Sequence, residues 1–220
     1  MTDIAANLEN IKQRIMVAGF TAKRDANTVK LIAVSKGKSE EDIKAALDAG
    51  QRTFGENRVQ EAQQKFSALR GAYPDLELHL IGPLQTNKVE AAVKLFDVIQ
   101  TLDRTELADA LVKAIQRTGR APKIYLQVNI GREPQKSGIA PEMLDEFITR
   151  CRERFQLNIT GLMCIPPLGE DPRPYFLQMR KLSMQYNLPH ISMGMSSDFE
   201  EAIDCGATEI RVGTAIFGKR

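Results

Sequence analysis

A lysine at position 36 closes the most apolar early run of the chain, Leu31-Ile32-Ala33-Val34-Ser35-Lys36, just before a turn and a helix start. An amine where a strand gives way to a loop can sit at the mouth of an α/β fold. There desolvation lowers its pKa and makes it a Schiff-base nucleophile. For an isolated strand-end lysine, plain solvation is the commoner outcome. Two later segments bear on the choice. Ser192-Met193-Gly194-Met195-Ser196-Ser197 runs into Asp198-Phe199-Glu200, which reads as a full capping box on Ser197. Glycine permits close backbone approach, the serines bring hydroxyls, and a helix N-terminus offers N–H groups to an anion. Val212-Gly213-Thr214-Ala215 repeats that chemistry in miniature. Arg211 stands between the two, on the same strand face as Gly213 by period-2 alternation and opposite Ile210 and Val212. Each loop alone is explained by capping and turn chemistry; together in one mouth they point to a phosphate.

The elements that would position these groups follow from apolar periodicity. Eight strand candidates cover 29–35, 52–56, 76–82, 97–101, 123–130, 158–165, 190–194 and 208–213. Amphipathic helical stripes alternate with them. One covers the opening 25 residues, with Ile4, Leu8, Ile11, Ile15 and Ala18 on one side. Ser39 to Asp42 resembles a capping box and Gly50 stops that helix; Gly71 closes the stripe Val59, Ala62, Phe66, Leu69. Gly119 ends the stripe through Leu111, while Pro141 and Pro174 open two more helices. Repeated strand–helix alternation means parallel strands with helical crossovers. Eight repeats predict a closed (β/α)₈ barrel, the TIM barrel, with an extra N-terminal helix. No linker or composition break interrupts residues 1–220, so one domain is expected. In such a barrel chemistry belongs at the C-terminal strand ends, and phosphate often sits after strands 7 and 8. If Lys36 faces the barrel, Ile32 and Val34 become its inner packing residues.

Composition narrows the class. The chain has 30 basic and 28 acidic residues in 220, a net charge of +2, so a nucleic-acid partner is not indicated. No apolar run approaches the roughly 20 residues of a membrane helix, and no secretory leader is evident, so a cytoplasmic protein without a membrane role is expected. Cys151, Cys164 and Cys205 lack metal-type spacing and read as reduced, partly buried thiols.

A lysine and a phosphate cradle in one mouth are what pyridoxal 5′-phosphate (PLP) needs: an amine for its aldehyde and a separate anchor. Several segments carry a further likeness: AVSK (33–36), FGENRVQE (54–61), HLIGPLQTNK (79–88), KSGI (136–139), GLM (161–163), SMGMSSDFEEAI (192–203) and RVGTAIFG (211–218). Over essentially its whole length the chain resembles the YggS/PROSC family of pyridoxal phosphate homeostasis proteins. The resemblance implies a barrel of the alanine racemase N-terminal type, fold-type III among PLP proteins. It implies that Lys36 forms the Schiff base with PLP, and that Met195, Ser196, Ser197, Gly213 and Thr214 lie in the segments that hold the phosphate. Arg211 matches the arginine facing the pyridine nitrogen, Asn57 the asparagine near the ring, and His79 heads a motif lining the site. Read from residues alone, Asn57 is also explained as a helix cap and His79 as a structural histidine. Lys136 could enter the mouth or remain solvated. The chain departs from the family pattern at Gly37 (usually threonine), Ser39 (proline), Arg58 (tyrosine) and Thr86 (serine).

Three functions are compatible with a mouth of this kind. The family likeness implies a PLP carrier or buffer in intracellular homeostasis, a monomer without robust turnover, with apo PLP-dependent enzymes as recipients. Related racemases and decarboxylases complete their sites with a second domain, which is not expected here because the chain ends at Arg220. The alternative is a weak PLP-dependent amino-acid racemase, which needs a second proton-transfer group. A cofactor-free Schiff-base barrel of the aldolase kind is the third.

Overall fold

In the computed structural model, which describes residues 2–219, Asp3 caps the first helix, α1 (Ile4–Thr21), by accepting the Ala6 N–H at 2.9 Å. Its buried residues are the predicted stripe plus Gly19. This helix precedes the barrel and packs on its last two helices. From there strand and helix alternate: β1 (Lys30–Val34), α2 (Glu40–Asp48), β2 (Thr53–Glu56), α3 (Val59–Phe66), α4 (Leu69–Ala72) and β3 (Glu77–Leu80). The middle of the chain gives α5 (Val89–Leu95), β4 (Val98–Leu102), α6 (Thr105–Thr118), β5 (Lys123–Val128), α7 (Leu144–Glu153) and β6 (Ile159–Cys164). The last elements are α8 (Arg173–Tyr186), β7 (His190–Ser192), α9 (Phe199–Asp204), β8 (Glu209–Val212) and α10 (Thr214–Phe217). The strands pair in sequence order, all parallel, and β8 returns to β1 through Leu31↔Ile210 and Ala33↔Val212. The expected (β/α)₈ barrel is therefore the fold.

Seven strands lie inside their predicted runs, and β4 extends one residue past its own, to Leu102. Local chemistry accounts for several helix ends. Ser39 accepts from Asp42 N while Asp42 accepts from Ser39 N, so the weaker box forms as read. Gly119 closes α6 at a left-handed φ of 67°. Four readings need correction. The first strand stops at Val34, and Lys36 sits in the turn beyond it. Gly71 lies inside the one-turn α4, because α3 already ends at Phe66. Helix α5, too short for a clear stripe, was not foreseen between strands 3 and 4. Ser197 caps nothing: α9 starts from Asp198, whose φ of −142° is non-helical and whose side chain turns back to Met195.

Each strand is covered on both faces. Leu31 and Ala33 of β1 belong to the apolar layer between sheet and helices, with Ile43, Leu47, Phe54 and Phe66. Ile32 and Val34 are equally buried but lie outside that layer, so they fill the barrel as predicted. Much of the remaining filling is polar. His79, Gln100, Ser192, Glu209 and Arg211 are all 5% exposed or less. This interior supports the mouth above it.

Candidate functional site

Barrel closure brings the predicted loops together. Lys36 follows β1 and Gly213 follows β8, and these two strands are hydrogen-bonded neighbours. The Lys38 ammonium donates to the carbonyls of Phe217 (2.9 Å) and Gly218 (3.0 Å), tying the lysine loop to the C-terminal end of α10. On the other side the Arg211 N–H donates to the Gly194 carbonyl at 3.0 Å, so the β7 loop lies against β8. Asn57 follows β2 at the same end of the barrel. Lys36, Asn57, Met195, Ser196, Ser197, Gly213 and Thr214 thus occupy one face, the C-terminal mouth.

Three observations test whether these residues fit a phosphate with an attached ring. Among the described residues the backbone N–H groups of Ser196, Ser197, Thr214 and Ala215 have no backbone acceptor, and the last two are the first of α10. A Cβ on Gly213 would stand 3.1 Å from the Val34 carbonyl oxygen and 3.2 Å from its Cβ, so glycine lets the β8 loop lie close against β1. Asn57 Oδ1 is buried with no hydrogen-bond partner, and the helix that follows is entered from Arg58 without any side-chain cap. The capping role for Asn57 is therefore excluded, and its amide oxygen is a buried acceptor left unpaired. Asp198 withdraws one donor, because its Oδ1 takes the Met195 N–H at 2.6 Å. Open N–H donors after β7 and β8 and an unpaired acceptor after β2, all at one end of the barrel, are chemistry that fits PLP.

Arg211 reaches inward from the end of β8. Its guanidinium donates to Ser192 Oγ and to the Cys164 carbonyl, both at 2.8 Å, and burial lowers its pKa from the ordinary value. Ser192 donates onward to Gln100 Oε1 at 2.7 Å, and Gln100 Nε2 reaches His79 Nδ1 (2.8 Å) and Glu209 Oε2 (3.0 Å). The Tyr125 hydroxyl donates to Glu209 Oε1 at 2.6 Å, and burial foremost drives that phenol's pKa up. So His79, read as lining the site, sits one step down inside the barrel and is linked to Arg211 through Gln100 and Ser192. Gln100 and Glu209 went unassigned in the sequence, and Ser192, read there as part of the β7 phosphate loop, is instead buried with its hydroxyl held between Arg211 and Gln100. Glu209 and Arg211 share one face at period two, as do Glu77 and His79, and that spacing in strands covered on both sides was the available signal.

Lys136 is taken up elsewhere. Its ammonium pairs with Glu133 at 2.5 Å and donates to the Pro166 carbonyl at 3.1 Å, bridging the loops after β5 and β6. All three cysteines are buried free thiols, and burial pushes those of Cys151 and Cys164 up to about 12. Among the described residues no helix is long and apolar enough to cross a membrane.

Comparison with known proteins agrees with this geometry. The alanine racemase N-terminal domain family matches residues 2–220. The pyridoxal phosphate homeostasis protein of Aquifex aeolicus is 42% identical over 97% of this chain and 96% of its own length. Its counterpart in Escherichia coli K12 is 39% identical over 100% and 98%. The structure of PipY from Synechococcus elongatus PCC7942 with PLP bound superposes with a TM-score of 0.84 at 40% identity, covering 98% of this chain and all of that one. An alanine racemase of Clostridium difficile 630 shares the fold alone, with a TM-score of 0.76 at 14% identity over 57% of its length. By the family match and these near-full-length relatives, the chain belongs to the alanine racemase N-terminal domain family and, within it, to the pyridoxal phosphate homeostasis proteins.

Proposed function

We propose that this protein binds PLP covalently through a Schiff base on Lys36 and acts in the cytoplasm as a reserve of the cofactor, without robust turnover of its own. The observation that carries the reading is the convergence, in one barrel mouth, of the Lys36 turn, the N–H groups after β7 and β8 that lack backbone acceptors, and the unpaired Asn57 Oδ1. Bound PLP supplies an aldehyde and a ring that withdraws electrons. Ser196, Ser197, Gly213 and Thr214 hold its phosphate, Asn57 meets the ring substituents, and Met195 lines the cradle. Arg211 at the ring nitrogen disfavours protonation there, which weakens the electron sink that carbanion chemistry needs. That cation, and the homeostasis naming of the relatives, support storage over catalysis. Reduced thiols at all three cysteines suit a reducing compartment.

The test is spectroscopic. Purified protein mixed with PLP should develop a visible band, and borohydride reduction followed by peptide mapping should place the label on Lys36. Lys36→Ala should lose both band and label; a full band with the same labelled peptide in that variant overturns the assignment. Incubation with amino acids in deuterated water separates storage from turnover. Exchange of the α-hydrogen at enzyme-like rates would sink the storage reading in favour of a racemase-like activity.

A further inference from the structure

The FGENRVQE segment contributes Asn57 to the mouth, but its two glutamates point the other way. Glu56, at the end of β2, is wholly buried and accepts the Ser35 hydroxyl at 2.7 Å. Glu61, on α3, accepts the Gly37 N–H at 2.5 Å. Lys65, one turn further along α3, joins them: its ammonium reaches Glu61 at 2.5 Å, Glu56 at 3.2 Å and the Ser35 carbonyl at 2.9 Å. Ser35 and Gly37 are the residues on either side of Lys36. Three charged side chains from the next β/α unit therefore hold both neighbours of the lysine.

We propose that Glu56, Lys65 and Glu61 form a clamp that positions the Lys36 turn for attachment of the cofactor. The inference rests on the reading of Lys36 as the attachment point. Gly37 makes the clamp necessary. It adopts a φ of 68°, a left-handed conformation that threonine, the residue suggested at this position by the family likeness, enters only with strain. Glycine accepts that conformation but leaves the free turn more conformational freedom to lose. Fixing the Gly37 N–H on Glu61 and the Ser35 carbonyl on Lys65 removes that freedom before the cofactor arrives, which is the benefit of preorganisation. The carboxylates are themselves held. Lys65, with a side chain 13% exposed, shields the buried Glu56 carboxylate and is aligned with Glu61 by the i,i+4 spacing of one helix face. Glu56, Lys65 and Glu61 are positioning residues in this scheme.

Glu61 is the member to vary, since its side chain is 26% exposed and its loss leaves Lys65 still paired with Glu56. Glu61→Ala removes the acceptor for Gly37, whereas Glu61→Gln keeps an oxygen there. Two readouts are taken: the rate at which the visible band forms with PLP, and hydrogen exchange of the Gly37 amide in protein without PLP. Losing a hydrogen bond to a charged acceptor predicts band formation about tenfold slower and amide exchange about tenfold faster in Glu61→Ala, with Glu61→Gln restoring both to within about twofold. Parental attachment rate or parental exchange in Glu61→Ala overturns the clamp, and so does a loss that Glu61→Gln fails to rescue. If borohydride places the label of the parent protein on another lysine, the reading of Lys36 falls. Gly37 exchange then decides the clamp by itself.

Discussion

Burial and pairing have set individual residues here far from their solution behaviour, and Glu77 shows it with a pH signature. Its carboxyl is held down to about 2, first by the His79 imidazole 3.3 Å away and then by the Lys30 ammonium at 2.5 Å, against the opposing effect of burial. The ordinary value is 4.5, so the folded state prefers the ionised form more than the unfolded chain does. The corresponding stability is fully present above pH 4.5 and is lost as the pH falls from there through about 2. Urea midpoints measured across this window should decline in the parent. Glu77→Gln should start lower at neutral pH and decline less; equal slopes in the two proteins would show that Glu77 is not the group responsible. Position in the fold, not residue type, decides such behaviour. Glu77 and Glu209 are both strand glutamates, yet one ties down the N-terminal end of the barrel, opposite the mouth, through Lys30 and the other serves the interior network below Arg211.

At the level of elements, the N-terminal helix tests how much of the fold rests outside the barrel repeat. Helix α1 contributes no strand, yet it buries Ile4, Leu8, Ile11 and Ile15 and packs on α2 and, most of all, on α9 and α10. Those two helices follow the loops assigned to the phosphate. Ile11, 1% exposed, lies mid-stripe, and Ile11→Ala should cost about 3 kcal/mol through lost burial and the cavity left behind. Chemical denaturation measures this directly, and a cost below about 1 kcal/mol would mean that the helix is not integral to the fold. The stripe was legible because it repeats at helical spacing over many residues, and the strands because each is a short apolar run bounded by glycine, proline or polar clusters. Short elements were not. Helix α5 has seven residues, too few for its stripe to stand out. Ser197 shows the opposite failure: a sound capping sequence lost to a better local alternative, the turn in which Asp198 takes the Met195 N–H.

For the molecule as a whole, the closed, doubly covered sheet makes a prediction about its thiols. Cys151, Cys164 and Cys205 lie on three different elements or their ends, all buried, with burial the leading cause that raises each thiol pKa. At pH 8 the native protein should therefore give no reaction with a thiol reagent while the unfolded chain reacts at all three. Rapid labelling of any one in the native state would reveal an opening of the barrel wall. The same enclosure explains why a polar interior persists: each donor from Arg211 to Gln100 has an acceptor, so burial is compensated bond by bond.

Read alone, the sequence determined the repeat, its eight strands in order, and the place of Lys36, Gly213 and the serines at strand ends, because periodicity and breakers act over a few residues. It also placed Arg211 on the face of Gly213. Closure decided the rest. Pairing of β8 with β1 brings Gly213 against Val34 and so sets the loop after β8, one of those proposed to hold phosphate, beside the lysine turn. Alternation says that two faces differ but not which face is the inside when both are covered, so Gln100 and Glu209 became visible only in three dimensions. Glu56, Lys65 and Glu61 converge on the neighbours of Lys36 from some twenty to thirty positions away. Contacts of that kind depend on the register between adjacent β/α units, which no local pattern encodes.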